Sequence, residues 1–178
     1  MRCFVCIWIP DELRSKIINF QNKLKNIPMK AKFVEPENFH LTITFLGEKK
    51  ERELKEIDKK LEKITRSFGK FQVNLEGLKI IPNESYVRVI GIAVKNSENL
   101  KSLIKLVGRE IDGSYYENSK LTLCRVKNVF EKEKLKEFIE ENKSVKIGEF
   151  LVNSISLVKS TLTREGPIYQ TIKDYELV

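Results

Sequence analysis

The 178-residue sequence predicts an α+β fold of two similar lobes facing each other across a central cleft. Two observations carry that prediction. A β-α-β-α-β order of elements runs through approximately residues 1–82 and begins again over 83–178, and short segments match between the copies at a nearly constant offset. Asn38-Phe39-His40-Leu41-Thr42-Ile43 answers Asn118-Ser119-Lys120-Leu121-Thr122-Leu123 at 80 residues, and Phe71-Gln72-Val73-Asn74 answers Phe150-Leu151-Val152-Asn153 at 79. Leu54-Lys55-Glu56-Ile57 also answers Leu135-Lys136-Glu137-Phe138 at 81. Lysine-rich helices match easily by chance, so the two strand matches carry the weight. A unit this long, present only twice, does not build a solenoid. Two lobes about an approximate two-fold axis would bring equivalent strands together across a cleft.

Hydrophobic periodicity assigns the elements in order. A strand near 2–9 precedes a helix from Asp11 to about Lys25, with Ile17, Phe20 and Leu24 on one face. A strand near 39–46 follows. Glu48 to Arg66 is highly charged, but Leu54, Ile57, Leu61 and Ile64 recur every three or four residues, the stripe of a surface helix laid on a sheet. A strand from Phe71 to Ile81 closes the first copy. The second copy predicts a strand over Tyr86–Val94, a helix over Ser97–Ile111, a strand near 119–127 and a helix over Glu131–Asn142. Strands near 147–159 and 167–177 end the chain. Pro82-Asn83-Glu84-Ser85 has turn composition and no Pro/Gly/Ser-rich linker separates the copies, so 1–178 is expected to form a single bilobal domain.

Composition narrows the function classes. An apolar share of 41% argues against a disordered chain, and a net charge of +8 with a pI near 9.3 attracts polyanions before any specific contact forms. Three cysteines are a poor basis for a disulfide framework and fit a reducing cytoplasm. Cys3 and Cys6 have no second Cys or His cluster with which to complete a zinc site, and read as core residues of a strand. The apolar opening is interrupted at Pro10-Asp11-Glu12, far short of the ~20 residues of a membrane span. No glycine-rich phosphate loop with its lysine is present.

The repeated strands carry the candidate chemistry. Residues two apart share a face of a strand, so His40, Thr42 and Thr44 point one way and Phe39, Leu41, Ile43 and Phe45 the other. An imidazole and a hydroxyl side by side suit proton transfer and hydrogen bonding to a phosphoryl oxygen. The twin strand offers Lys120 and Thr122. Alternating threonines on a half-exposed strand are ordinary, but packing alone has no need to repeat a polar x-Leu-Thr face in both copies.

His40-Leu41-Thr42-Ile43-Thr44-Phe45-Leu46-Gly47 resembles the first His-x-Thr motif of the two-histidine phosphoesterase superfamily, in its RNA 2′,3′-cyclic phosphodiesterase branch, also called 2′-5′ RNA ligase-like. Lys120-Leu121-Thr122-Leu123-Cys124-Arg125-Val126 resembles the second motif. Arg2-Cys3-Phe4 and the tail Ser160 to Tyr169 are similar to that branch as well, so the resemblance spans nearly the whole chain. It implies two mainly antiparallel sheets with outer helices, and cofactor- and metal-independent opening of a 2′,3′-cyclic phosphate to a 2′-phosphate. The first-motif His40 would protonate the departing 3′ oxygen, Thr42 and Thr122 would hold the phosphate, and Arg125 would clamp it. The implied partners are RNA ends or cyclic nucleotides, tRNA fragments among them, met by a cytoplasmic monomer.

Lys120 departs from the pattern, standing where the second histidine belongs. A free lysine titrates at roughly 10.4, so acting as a base near pH 7 requires a depression of about three units, worth about 4 kcal/mol. A neighbouring phosphate dianion pushes the other way. As an ammonium, Lys120 would still neutralise charge on the phosphoryl group. Three readings stay open: a slowed phosphodiesterase, an RNA-end or nucleotide binding module without turnover, and a 2′-5′ RNA ligase. Strict alternation also puts Arg125 opposite Lys120, so it reaches the cleft only if the strand is bulged or ends there. Arg88 and Arg164 are candidate backbone contacts, and Tyr115 and Tyr116 candidate base-stacking residues.

Overall fold

The computed structural model describes residues 1–178. Strand β1 (Arg2–Trp8) leads through helix α1 (Asp11–Leu24) and strand β2 (Met29–Phe33) to β3 (His40–Glu48), α2 (Glu51–Ser67) and β4 (Phe71–Asn83). The second copy comprises β5 (Tyr86–Lys95), α3 (Glu98–Glu110), β6 (Lys120–Val129), α4 (Lys132–Glu141), β7 (Lys146–Val152), β8 (Ser154–Thr163) and β9 (Gly166–Glu176). Two sheets result, in the orders β3-β1-β8-β9 and β2-β6-β5-β4-β7, with every pairing antiparallel. The expected α+β architecture is therefore present.

Each helix is held by the face its sequence makes apolar. Ile17, Phe20 and Leu24 of α1, Ile57, Leu61 and Ile64 of α2, and Leu100, Leu103, Ile104 and Val107 of α3 are all buried. Most of them join strand residues of both sheets in one cluster of 31 buried side chains, so the two sheets share a main core, while Leu24 joins a smaller cluster of seven between the larger sheet and α4. Helix α2, although strongly charged, is tied to β9 by the Tyr175 hydroxyl donating to Asp58 at 2.7 Å and by Lys173 pairing with Asp58 at 3.0 Å.

The copies do not coincide with the sheets. Strand β4 of the first copy pairs with β5 of the second, while β8 of the second pairs with β1 of the first. Each sheet thus takes strands from both copies. The matched segments 71–74 and 150–153 lie side by side in one sheet, with Val73 opposite Phe150, and the spatial counterpart of β4 is β8. Residues 147–159, read as one strand, form β7 and β8 in different sheets, broken at Asn153. Strand β2 was not expected at all; it covers the edge of β6. Helix α2 begins later than expected because β3 runs on to Glu48, opposite Arg2.

Strands β3 and β6 share one irregularity that strict alternation misses. Val5 lies opposite Thr44 and Cys6 opposite Thr42, which leaves Ile43 unpaired; Ile90 lies opposite Cys124 and Gly91 opposite Thr122, which leaves Leu123 unpaired. These are β-bulges at equivalent positions, and each turns the following residues over. The order of buried, half-buried and exposed residues is identical over 40–50 and 120–130.

Thr44 consequently does not share a face with His40 and Thr42. It is fully buried, and its hydroxyl has no hydrogen-bond partner. Replacing a buried, unpaired hydroxyl by a methyl removes a desolvation cost. Thr44→Val is expected to stabilise the protein by about 1 kcal/mol in urea unfolding, with no change in the denaturant slope.

Candidate active site

A cleft of about 1060 Å³ opens on the sheet faces turned away from the helices, and His40, Thr42, Lys120, Thr122 and Arg125 all line it. The five residues singled out in the sequence therefore meet in one place. Ser119, just before β6, donates to the Thr42 carbonyl at 2.9 Å and links the two motif strands directly.

The His40 ring is held from both nitrogens. Nδ1 lies 2.6 Å from the Asn38 carbonyl, and a carbonyl can only accept, so Nδ1 carries a proton. Nε2, 3.0 Å from Thr42 Oγ1, is left as the nitrogen that gains or loses a proton. Asn38 is itself fixed, its side-chain amide donating to the Pro167 carbonyl at 3.2 Å. Phe4, Trp8 and Tyr169 surround the imidazole, with ring centroids 5.2, 5.8 and 5.6 Å away. Burial lowers the His40 pKa below its usual 6.5; the Asn38 bond opposes the shift and the Arg125 charge adds to it.

Opposite stands a cationic wall. Lys120 is pushed below its ordinary value by burial first, then by Arg125 and Lys79. The free cleft thus moves Lys120 toward the amine, the reverse of the shift a bound phosphate would impose. Arg125 is exposed in the cleft because the Leu123 bulge turns Leu123 and Cys124 both away from it. The bulge required by the sequence reading is present, and Arg125 is close enough to bear on His40, Lys120 and Tyr169 alike.

The Ile43 bulge does the same to Phe45, which was expected on the core face but lines the cleft at 47% exposure. The 112–119 loop docks beside it, Phe45 and Ser114 exchanging backbone hydrogen bonds of 2.8 and 2.9 Å. Only glycine fits at 113, where a Cβ would overlap the Thr44 methyl. Tyr115 and Tyr116 of this loop do line the cleft. Arg88 and Arg164 do not: Arg88 stacks on Tyr86 beside α4, and Arg164 is exposed at the β8–β9 turn. The lysines Lys32 and Lys79 line the cleft and were missed, although both stand in alternating strand sequences. No group of three or more His, Cys, Asp or Glu side chains could hold a metal ion, and no helix is long and apolar enough to cross a membrane.

His40 is the sole histidine, so its titration can be read without ambiguity. The folded protein binds the imidazole proton less tightly than the unfolded chain does. The stability this contributes is complete above about pH 6.5 and is lost as the pH falls through the folded value. Ring-proton shifts should titrate with a midpoint below 6.5, and His40→Gln should remove this component of the pH dependence.

Known proteins share both the sequence and the fold. Residues 7–91 match the family described as LigT-like phosphoesterase. A Methanocaldococcus jannaschii protein named RNA 2′,3′-cyclic phosphodiesterase is 39% identical, with 98% of this chain and 100% of that protein aligned. One of the same name from Methanothermobacter thermautotrophicus is 31% identical over 99% of each. The crystal structure of TT0787 from Thermus thermophilus superposes with a TM-score of 0.76 at 26% identity, covering 99% of this chain and 98% of that one. The family match and the 31–39% identity to these relatives over nearly the full length place this chain in the LigT-like phosphoesterase family.

Proposed function

We propose that the protein opens 2′,3′-cyclic phosphate ends of RNA to 2′-phosphates without a metal or cofactor. The observation that carries this reading is the single cleft bringing together His40-x-Thr42 and Lys120-x-Thr122, with Arg125 on the same lining. Full-length relatives named for that reaction support it.

In this reading the cyclic phosphate lies between the motif strands. Thr42 and Thr122 donate hydroxyl hydrogen bonds to its non-bridging oxygens, and Arg125 offers a bidentate fork. Water attacks phosphorus as the bond to O3′ breaks, and protonated His40 delivers its Nε2 proton to the departing O3′; the attacking water loses a proton to solvent, from which His40 is reprotonated, and the phosphate stays on O2′. Phe45 presents a flat apolar face to a base in the same cleft. Lys120 neutralises the growing charge on the phosphoryl oxygens instead of activating the water. Missing one acid/base group costs roughly 10²- to 10⁴-fold in rate. That lysine is also the one observation favouring a phosphate-binding module without turnover.

Assays with a cyclic-phosphate-ended oligonucleotide separate the two. Slow hydrolysis to the 2′-phosphate, abolished in His40→Ala and raised at least tenfold in Lys120→His, is the expected outcome. Salt-sensitive binding with no hydrolysis in the parent would select the binding module. The pH profile assigns Lys120. The rate falls above the His40 pKa as the acid loses its proton, and an ammonium Lys120 adds a second, steeper fall above its own lowered pKa, whereas an amine base offsets the first fall and leaves a plateau up to that pKa.

A further inference from the structure

The cleft holds more positive charge than one cyclic phosphate can neutralise. Lys79, Lys120 and Arg125 stand close together, yet none takes part in an ion pair. Of the carboxylates on the lining, Glu117 is engaged by Lys105 at 3.4 Å, and Glu35 and Glu165 pair with none of the three. Like charges this near repel one another, as the effect of Arg125 and Lys79 on Lys120 records. A cyclic phosphate carries one negative charge. Two cations stay uncompensated when it binds.

Position says where a second anion would sit. Across the larger sheet, Thr122 lies opposite Gly91 and Gly91 opposite Lys79, so these three occupy one row on the cleft face. Gly91 contributes no side chain, and could not: a Cβ there would lie 2.5 Å from the Leu121 carbonyl oxygen. The row runs from Thr122 at one end to Lys79 at the other, both on the cleft lining, across a Gly91 that is itself buried. It is two strand spacings, ~9–10 Å, across the backbone. Lys32, the other unassigned lysine, instead reaches across to the β8–β9 turn, its Nζ 3.2 Å from where a Gly166 Cβ would stand. A cleft of about 1060 Å³ lies at the upper end of the usual range for a ligand site, roughly 300–1,000 Å³.

A 2′,3′-cyclic phosphate is a 3′ terminus, so any further phosphate of the strand lies on its 5′ side. We propose that Lys79 binds the phosphodiester immediately 5′ of the terminal cyclic phosphate, making the preferred substrate an RNA end of two or more nucleotides instead of a mononucleoside cyclic phosphate. The inference rests on the phosphodiesterase reading above and names its substrate class. Lys79, two strands from Thr122 in the same row, meets the charge of that upstream phosphodiester.

Turnover of adenylyl-adenosine 2′,3′-cyclic phosphate and of adenosine 2′,3′-cyclic phosphate is compared in the parent, Lys79→Ala, Lys79→Arg and Lys32→Ala. Binding of the two corresponding 2′-phosphates is measured alongside, by calorimetry. The parent should favour the dinucleotide. Lys79→Ala should reduce that preference about tenfold, the scale of one charge-assisted contact, acting through KM; Lys79→Arg should restore it and Lys32→Ala should leave it in place. The salt slope of dinucleotide binding should fall by about 0.7 in Lys79→Ala. An equal preference in parent and Lys79→Ala, or its loss only in Lys32→Ala, would overturn the proposal. Absent turnover with the binding preference still lost in Lys79→Ala would end the phosphodiesterase reading and support the subsite. Hydrolysis with no dinucleotide preference would do the reverse.

Discussion

The carbonyl of Leu123 has no place in the sheet ladder, and the cleft depends on how it is paired. It accepts the Val34 backbone N–H at 2.9 Å and the buried Gln21 amide at 3.1 Å, and the same amide reaches the Val34 carbonyl at 3.0 Å. One side chain of α1 thereby satisfies the backbone on both sides of the bulge. Without the extra residue, alternation would turn Arg125 into the apolar layer of Cys124, Val126 and α4. An unpaired guanidinium there costs several kcal/mol. The bulge thus joins packing to electrostatics: the irregularity that keeps the core dry also points the cation at the phosphate.

The same bulge in β3 shows what duplication preserves and what it leaves free. Burial is identical along the two strands, so the scaffold is held in common, while the side chains it aims into the cleft differ. His40 answers Lys120 and Phe45 answers Arg125. One sheet contributes an imidazole among Phe4, Trp8 and Tyr169, and the other contributes Lys32, Lys79, Lys120 and Arg125. Each environment acts on its own titrating group: the aromatic side favours neutral imidazole by burial, and the cationic side favours the lysine amine by burial and repulsion. A bound anion opposes both shifts at once. Substrate therefore protonates the acid that its own leaving group needs.

Much of this was legible in the sequence, because repetition of a polar x-Leu-Thr face is a signal that packing does not produce. The offset of 80 residues located both motif strands, and alternation put His40, Thr42, Lys120 and Thr122 on the correct faces. Alternation failed just beyond, at Thr44, Phe45 and Arg125, where the register slips by one residue. A trace of the slip is present in Leu121-Thr122-Leu123-Cys124-Arg125-Val126, where Leu123 and Cys124 stand side by side, whereas Leu41-Thr42-Ile43-Thr44-Phe45 keeps alternating and hides it. The exchange of β4 and β8 between sheets left no such trace. It is decided by which edges β1 and β5 leave open, a property of the assembled sheets and not of any local segment. Strand β2 was missed for a related reason: five residues of alternating Met/Ala/Phe and Lys make a strand only when an edge such as that of β6 is there to receive them.

Placing a lysine in the second motif has a consequence beyond the loss of a base. An imidazole at position 120 would be neutral over most of the physiological range, its cationic form disfavoured by the same Arg125 and Lys79 that lower the lysine. A lysine starts from a much higher ordinary value, so under the same lowering it keeps more of its charge and adds to theirs. The cleft therefore exchanges proton-transfer capacity for anion affinity at a single residue. That exchange favours ligands with more than one negative charge, and it makes the spacing of phosphates along an RNA strand a feature that this sheet can measure.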